Sequence, residues 1–169
     1  LYVGRFERKM NGLKLAKQYF EQPFFIEDTV SFVNEISYGA VTSQGIERFN
    51  QSVFESLKST GTIGLIDSEL RNQILEHYDY TNTVTSLSEK AISGYQDLVN
   101  ALRPFDPQDP THVNKHDQIR FIDAVKTEEF IRQTHIEMSN AKHNIRRVYN
   151  IIERANNLMA SIEKYLSND

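Results

Sequence analysis

"TEEFIRQTHIEMSNAKHNIRRVYNIIERANNLMASIEKYL", residues 127–166, decides the fold. From Ile131, alternating steps of three and four reach Thr134, Met138, Ala141, Ile145, Val148, Ile152, Ala155, Met159, Ile162 and Leu166. That spacing gathers the side chains on one side of an α-helix, at the a and d positions of a heptad pattern. Thr134 alone is polar, and neither Pro nor Gly interrupts the run. Thr127, followed by Glu128 and Glu129, reads as an N-cap with acids at the positive end of the helix dipole. A helix over 127–166 is roughly 60 Å long at about 1.5 Å per residue.

A second pattern runs from Asp67 or Ser68 to Arg103. Its seam is Leu70, Ile74, His77, Thr81, Val84, Ser88, Ala91, Tyr95, Leu98 and Leu102. Tyr78, Leu87, Ile92 and Val99 widen it, as in a helix packed on two neighbours. "TNTVT", residues 81–85, is poor in helix propensity and marks one place for a kink, and Gly94 marks another. Between the two patterns, Pro104, Pro107 and Pro110 exclude a helix. A short helix over 118–125 follows. Two long segments joined by a compact loop predict an antiparallel hairpin.

Shorter elements precede the hairpin within residues 1–60. Phe6, Met10, Leu13, Ala16 or Lys17, and Phe20 give an amphipathic helix that stops before Pro23. Ile26, Val30, Phe32, Val33 and Ile36 give a second over 26–38. Thr42 or Ser43 caps a third, with Glu47 near its third position and Ile46, Phe49, Val53, Phe54 and Leu57 along it. No segment alternates with period two, so no sheet is expected. The expected fold is all-α, an elongated antiparallel bundle forming one domain over 1–169, built on arms at 67–103 and 127–166.

Residues 57–78, "LKSTGTIGLIDSELRNQILEHY", raise the question of a phosphate loop. They have neither the glycine spacing nor the Lys that such a loop needs. The residues read instead as a hinge. Leu57 ends one helix, and Gly61 takes the C′ position, where positive φ is inexpensive. Ile63, Leu65 and Ile66 tuck the linker onto a core, and Asp67 or Ser68 caps the next helix. Arg71, just beyond, is read as forming an ion pair or a hydrogen bond to hinge carbonyls.

The same stretch carries a family resemblance on Leu57, Gly61, Ile63, Ile66, Asp67, Leu70, Arg71, Ile74 and Tyr78, and the terminal "NLMASIEKYL" adds to it. The chain resembles a widespread bacterial family of uncharacterised proteins with one N-terminal membrane span and a soluble helical domain. The resemblance covers 57–166. It implies a membrane anchor upstream of Leu1 and a periplasmic domain, and it brings no catalytic residue.

Charge and composition narrow the functional classes. The 169 residues carry a net charge of −4, with four basic and nine acidic side chains over 61–117. No basic stripe attracts a polyanion, so no nucleic-acid partner is expected. The absence of cysteine excludes disulfides, thiolate metal sites and cysteine nucleophiles. His112 and His116 with Asp109 and Asp117 read as a solvated loop. His135 and His143 lie near one face of the long helix, and His77 lies on the second pattern. None of the five histidines supplies the helical Glu-x-x-His of a di-iron site. No G-x-S-x-G elbow is present. "NQS" at Asn50 falls on an expected helix and is not read as a glycosylation site. No catalytic residue, cofactor or metal ligand is therefore assigned.

The leading expectation is a non-enzymatic module of a membrane-anchored protein, for protein interaction or sensing. Its partner is another protein or a second copy. The alternative is a small-ligand-binding bundle with a pocket lined by Phe24, Phe25, Phe32, Tyr38, Phe49, Phe54, Tyr78, Tyr80 and Tyr95.

Overall fold

The computed structural model describes residues 2–41, 50–89, 92–102 and 114–167. The fold is an all-α helical bundle, and the described residues contain no strand. The elements are α1 (Tyr2–Glu21), α2 (Thr29–Tyr38), α3 (Ser52–Ser59), a 3-10 turn (Thr62–Leu65), α4 (Ser68–Glu89), α5 (Gly94–Leu102), α6 (Lys115–Val125) and α7 (Glu128–Ser167). The chain groups into two compact units. The first is Leu1–Gly45 with Ala91–Ile145, and the second is Ile46–Lys90 with Arg146–Asp169.

In the first unit, α1 ends two residues before Pro23, whose ring disfavours helical geometry at Gln22. Asp28 starts α2 by accepting from the Val30 and Ser31 amides at 3.0 and 3.1 Å. The two helices meet closely at Gly12, where a Cβ would lie 2.0 Å from the Glu35 carbonyl oxygen. The core gathers Leu13, Ala16 and Tyr19 from α1, Val33 and Ile36 from α2, Tyr95 and Val99 from α5, Phe121 and Val125 from α6, and Phe130 and Ala141 from α7. Its aromatic rings pack edge to face: Tyr95 on Phe130 at 5.3 Å, Phe121 on Phe130 at 5.8 Å, and Tyr19 on Phe32 at 4.9 Å.

The helix α6 begins three residues earlier than the expected 118, because Asn114 accepts from the His116 amide at 2.8 Å. Thr127 starts α7 as the sequence indicated, accepting from the Phe130 amide at 3.3 Å. The same hydroxyl donates to the Ala124 carbonyl at 2.7 Å and so fixes the α6–α7 turn.

In the second unit, the hinge geometry follows the reading of residues 57–78. Gly61 has φ of +73°, in the left-handed region, directly after α3. Asp67 starts α4 by accepting from Glu69 and Leu70. Arg71 reaches the Gly64 carbonyl at 3.5 Å. Ile63 and Ile66 pack on the core of Phe54, Leu70 and Ile74, together with Tyr78, Leu158, Ile162 and Tyr165. Leu65, expected to tuck in with them, is instead 84 % exposed, since the tight 3-10 turn places it away from its neighbours. Phe54 and Tyr78 stack in parallel at 3.9 Å.

The expected helix over 67–103 is two elements, α4 and α5, in different units. The interruption is not at 81–85, which are helical. Thr81 and Thr85 are buried there because their hydroxyls donate to the carbonyls of His77 and Thr81 at 2.8 and 3.1 Å. Ser93 starts a new helix instead, its hydroxyl accepting from the Gln96 amide at 3.1 Å. Gly94 then lets the backbone approach Gln133, whose side-chain oxygen would lie 2.4 Å from an added Cβ. The expected N-terminal portion of the third helix, with Thr42, Ser43, Ile46, Glu47 and Phe49, lies outside the described residues, as do Pro104, Pro107 and Pro110.

Candidate functional site

Two features stand out from the ordinary core. The first is the outer side of α7 in the second unit. This helix carries more apolar residues than its unit covers. Its inner side, with Val148, Ile151, Leu158, Ile162 and Tyr165, is buried or half-buried. Its outer side presents Tyr149, Ile152, Met159 and Leu166, exposed by 50, 42, 58 and 67 %. These residues are three to seven apart and therefore share one stripe, with Asn156 and Glu163 completing the three-and-four spacing. The heptad series that includes Ile131 thus begins in the core and ends in water. A single exposed Leu is ordinary, but a row of large apolar side chains along about five turns is not.

Tyr80 helps hold this helix at a fixed rotation. Asn150 donates to the Tyr80 hydroxyl at 3.3 Å, and the Arg154 guanidinium lies over the Tyr80 ring at 4.4 Å. His77, also in this unit, is half-buried. Burial, and then the Arg154 charge, hold its imidazole below the usual pKa range, so it is neutral at pH 7.

The second feature is a sealed polar network in the first unit. Lys9 of α1 and Glu137 of α7 form an ion pair, exposed by only 1 and 2 %. The Lys9 ammonium also donates to the Val41 carbonyl at 3.1 Å. Ser93 donates to the other Glu137 oxygen at 2.7 Å while capping α5. Burial pushes the Lys9 pKa down against the pull of Glu137. Tyr95 beside them donates to the Ile36 carbonyl at 2.8 Å, and burial, with the Glu137 charge, pushes its pKa up. The network joins α1, the end of α2, α5 and α7. In this conformation it is closed to any reactant, and its chemistry is that of a structural tie.

The sequence reading missed this network. Its signal was nevertheless present. Lys9 occupies the spacing of Phe6, Leu13 and Ala16, all fully buried, and Glu137 occupies that of Phe130 and Ala141. Opposite charges on the apolar sides of two helices are the mark of a buried pair.

The histidines singled out in the sequence are not brought together. His116, His135 and His143 are exposed, and His112 lies outside the described residues with Asp109. Among the described residues, no group of three or more His, Asp or Glu is arranged to hold a metal ion. Of the aromatic residues proposed to line a pocket, Phe24 and Phe32 pack on each other and on Tyr19, Phe54 packs on Tyr78, and Phe25 points into water. Phe49 lies outside the described residues. Three concavities on the described surface are open grooves lined largely by polar and charged side chains. Among the described residues, no helix is long and apolar enough to cross a membrane.

No family model matches the chain, and neither the curated proteins nor the solved structures contain a significant match to it.

Proposed function

We propose that this chain is a non-enzymatic helical interaction module whose contact surface is the outer stripe of α7, with Tyr149, Ile152, Met159 and Leu166. The observation that carries the reading is the exposure of these four large apolar residues on one continuous helix side. Burying such side chains against a partner releases about 25 cal/mol per Å² of apolar surface, which is the driving force for association. The sealed state of Lys9, Glu137 and Ser93 supports a structural role for the chain's most polar buried groups. The resemblance of residues 57–166 extends the reading to a membrane-tethered protein with this module outside the cytoplasm.

A photo-crosslinking residue at Met159, compared with one at exposed Asn157 on the side turned away from the stripe, tests the surface. A discrete, saturable protein adduct from position 159 and none from 157 is expected. Equal labelling from both positions, or none from either, removes the reading.

A further inference from the structure

The outer stripe itself suggests what covers it. We infer that the partner is a second copy of this chain, with the two α7 segments antiparallel; this rests on the interaction reading above. The argument is one of charge and register. Over residues 149–166 the stripe runs Tyr149, Ile152, Asn156, Met159, Glu163, Leu166 at the three-and-four spacing, and Arg146 flanks its N-terminal end. Arg146 and Glu163 are both exposed, one at each end of the stretch. A parallel pair sets Glu163 against Glu163 of the second copy, and like charges facing each other oppose association.

An antiparallel pair pivoting at residue 154 has the opposite result. Ile152 then faces Asn156 of the second copy, and Tyr149 faces Met159, a favourable sulfur–aromatic contact. Arg146 comes within one residue of facing Glu163, and the two-fold axis makes this ion pair twice. The paired stretch is about 26 Å long at roughly 1.5 Å per residue. Near the pivot the two Glu153 side chains approach each other, which weakens the pair and makes the dimer reversible. A single isologous surface of this kind closes on itself and does not propagate into a fibre.

The test uses the full chain. Sedimentation equilibrium across a concentration series should show a reversible monomer–dimer equilibrium. Arg146→Glu and Glu163→Arg should each weaken it roughly tenfold, the range expected of two exposed ion pairs turned repulsive, and the double reversal should restore it. Glu153→Gln should tighten it. The chain has no cysteine, so orientation is read cleanly from introduced ones. A mixture of Ile152→Cys and Asn156→Cys chains should oxidise to the mixed disulfide, because facing positions bring the Cβ atoms within bonding reach. Preferential Ile152→Cys homodimers would mean a parallel pair and overturn the inference. A chain that stays monomeric at all concentrations, with helicity intact by circular dichroism, also overturns it. The interaction reading then stands or falls separately: an adduct from position 159 of any mass other than two chains supports that reading while sinking this inference.

Discussion

Lys9 and Glu137 are an ion pair sealed from water on both sides, and between them they tie α1 to α7 through Val41 and Ser93. A buried pair of this kind is costly to break and inexpensive to replace whole. Removing one partner leaves the other charged and desolvated, whereas replacing both with apolar groups removes the desolvation cost as well. Lys9→Met alone should therefore destabilise the fold by about 3–5 kcal/mol, and Lys9→Met with Glu137→Leu should recover most of that loss. Chemical denaturation of the three proteins measures it. A double variant that loses more than Lys9→Met alone would show that the two charges are not coupled.

The close approach of α1 to α2 gives a second expectation. At Gly12 a methyl group meets the Glu35 carbonyl oxygen at 2.0 Å, a distance that only backbone movement relieves. Gly12→Ala should cost about 1–3 kcal/mol or more through overpacking. Gly4, on the same helix, has nothing within 4 Å of the added Cβ. There Gly4→Ala should stabilise by about 0.5–1 kcal/mol, since alanine loses less backbone entropy in a helix. Thermal melts of the pair separate the steric from the entropic effect.

The long helix α7, its Thr127 cap and the Gly61 hinge were legible in the sequence because each rests on local chemistry: repeat spacing, a hydroxyl cap, a positive φ. The break before α5 was legible only in part: Gly94 marked a weak point, but what turns it into a new helix start depends on partners far along the chain. Nothing near Ser93 in sequence says that its hydroxyl will be held by Glu137, 44 residues away, or that Gly94 will lie against Gln133. Conversely, the "TNTVT" run looked like a kink because β-branched residues disfavour helices. Its threonines stay helical by bonding back to the preceding turn, which lets them occupy buried positions that would otherwise leave a hydroxyl unsatisfied. The outer stripe of α7 was visible as half of a heptad seam. Which half faces the core follows from packing, and the repeat alone does not give it.

The Tyr95 hydroxyl supplies a pH dependence whose sign is fixed. Burial, and then the Glu137 charge, raise its folded pKa above the ordinary value of 10.0. The stability contributed by the protonated phenol is therefore fully present below about pH 10 and is lost as pH rises beyond it, when the unfolded chain ionises and the folded chain does not. Tyr95→Phe should lose about 0.5–1.5 kcal/mol at pH 7, from the missing hydrogen bond to Ile36. Its stability should then fall less steeply than wild type between about pH 10 and 11. Urea denaturation at pH 7, 9, 10 and 11 tests both parts. Parallel curves for the two proteins would place the titration elsewhere.

Neighbouring residues on α7 test which side of the helix is the inner one. Ile151 is 6 % exposed, while Ile152, the next residue, belongs to the outer stripe. The two are identical in chemistry and in helix propensity, so a difference between their alanine variants reports burial alone. Ile151→Ala should cost about 2–5 kcal/mol, because it removes buried methyl groups and leaves a cavity. Ile152→Ala should change the stability of the monomer by less than about 1 kcal/mol, because alanine's higher helix propensity offsets the small loss of packing. Dilute samples are needed, since at high concentration any association through the stripe would add its own stabilisation to wild type and exaggerate the Ile152→Ala loss. A larger cost at 152 than at 151 in dilute solution would mean that the helix is turned the other way, and the proposed contact surface would then be part of the core.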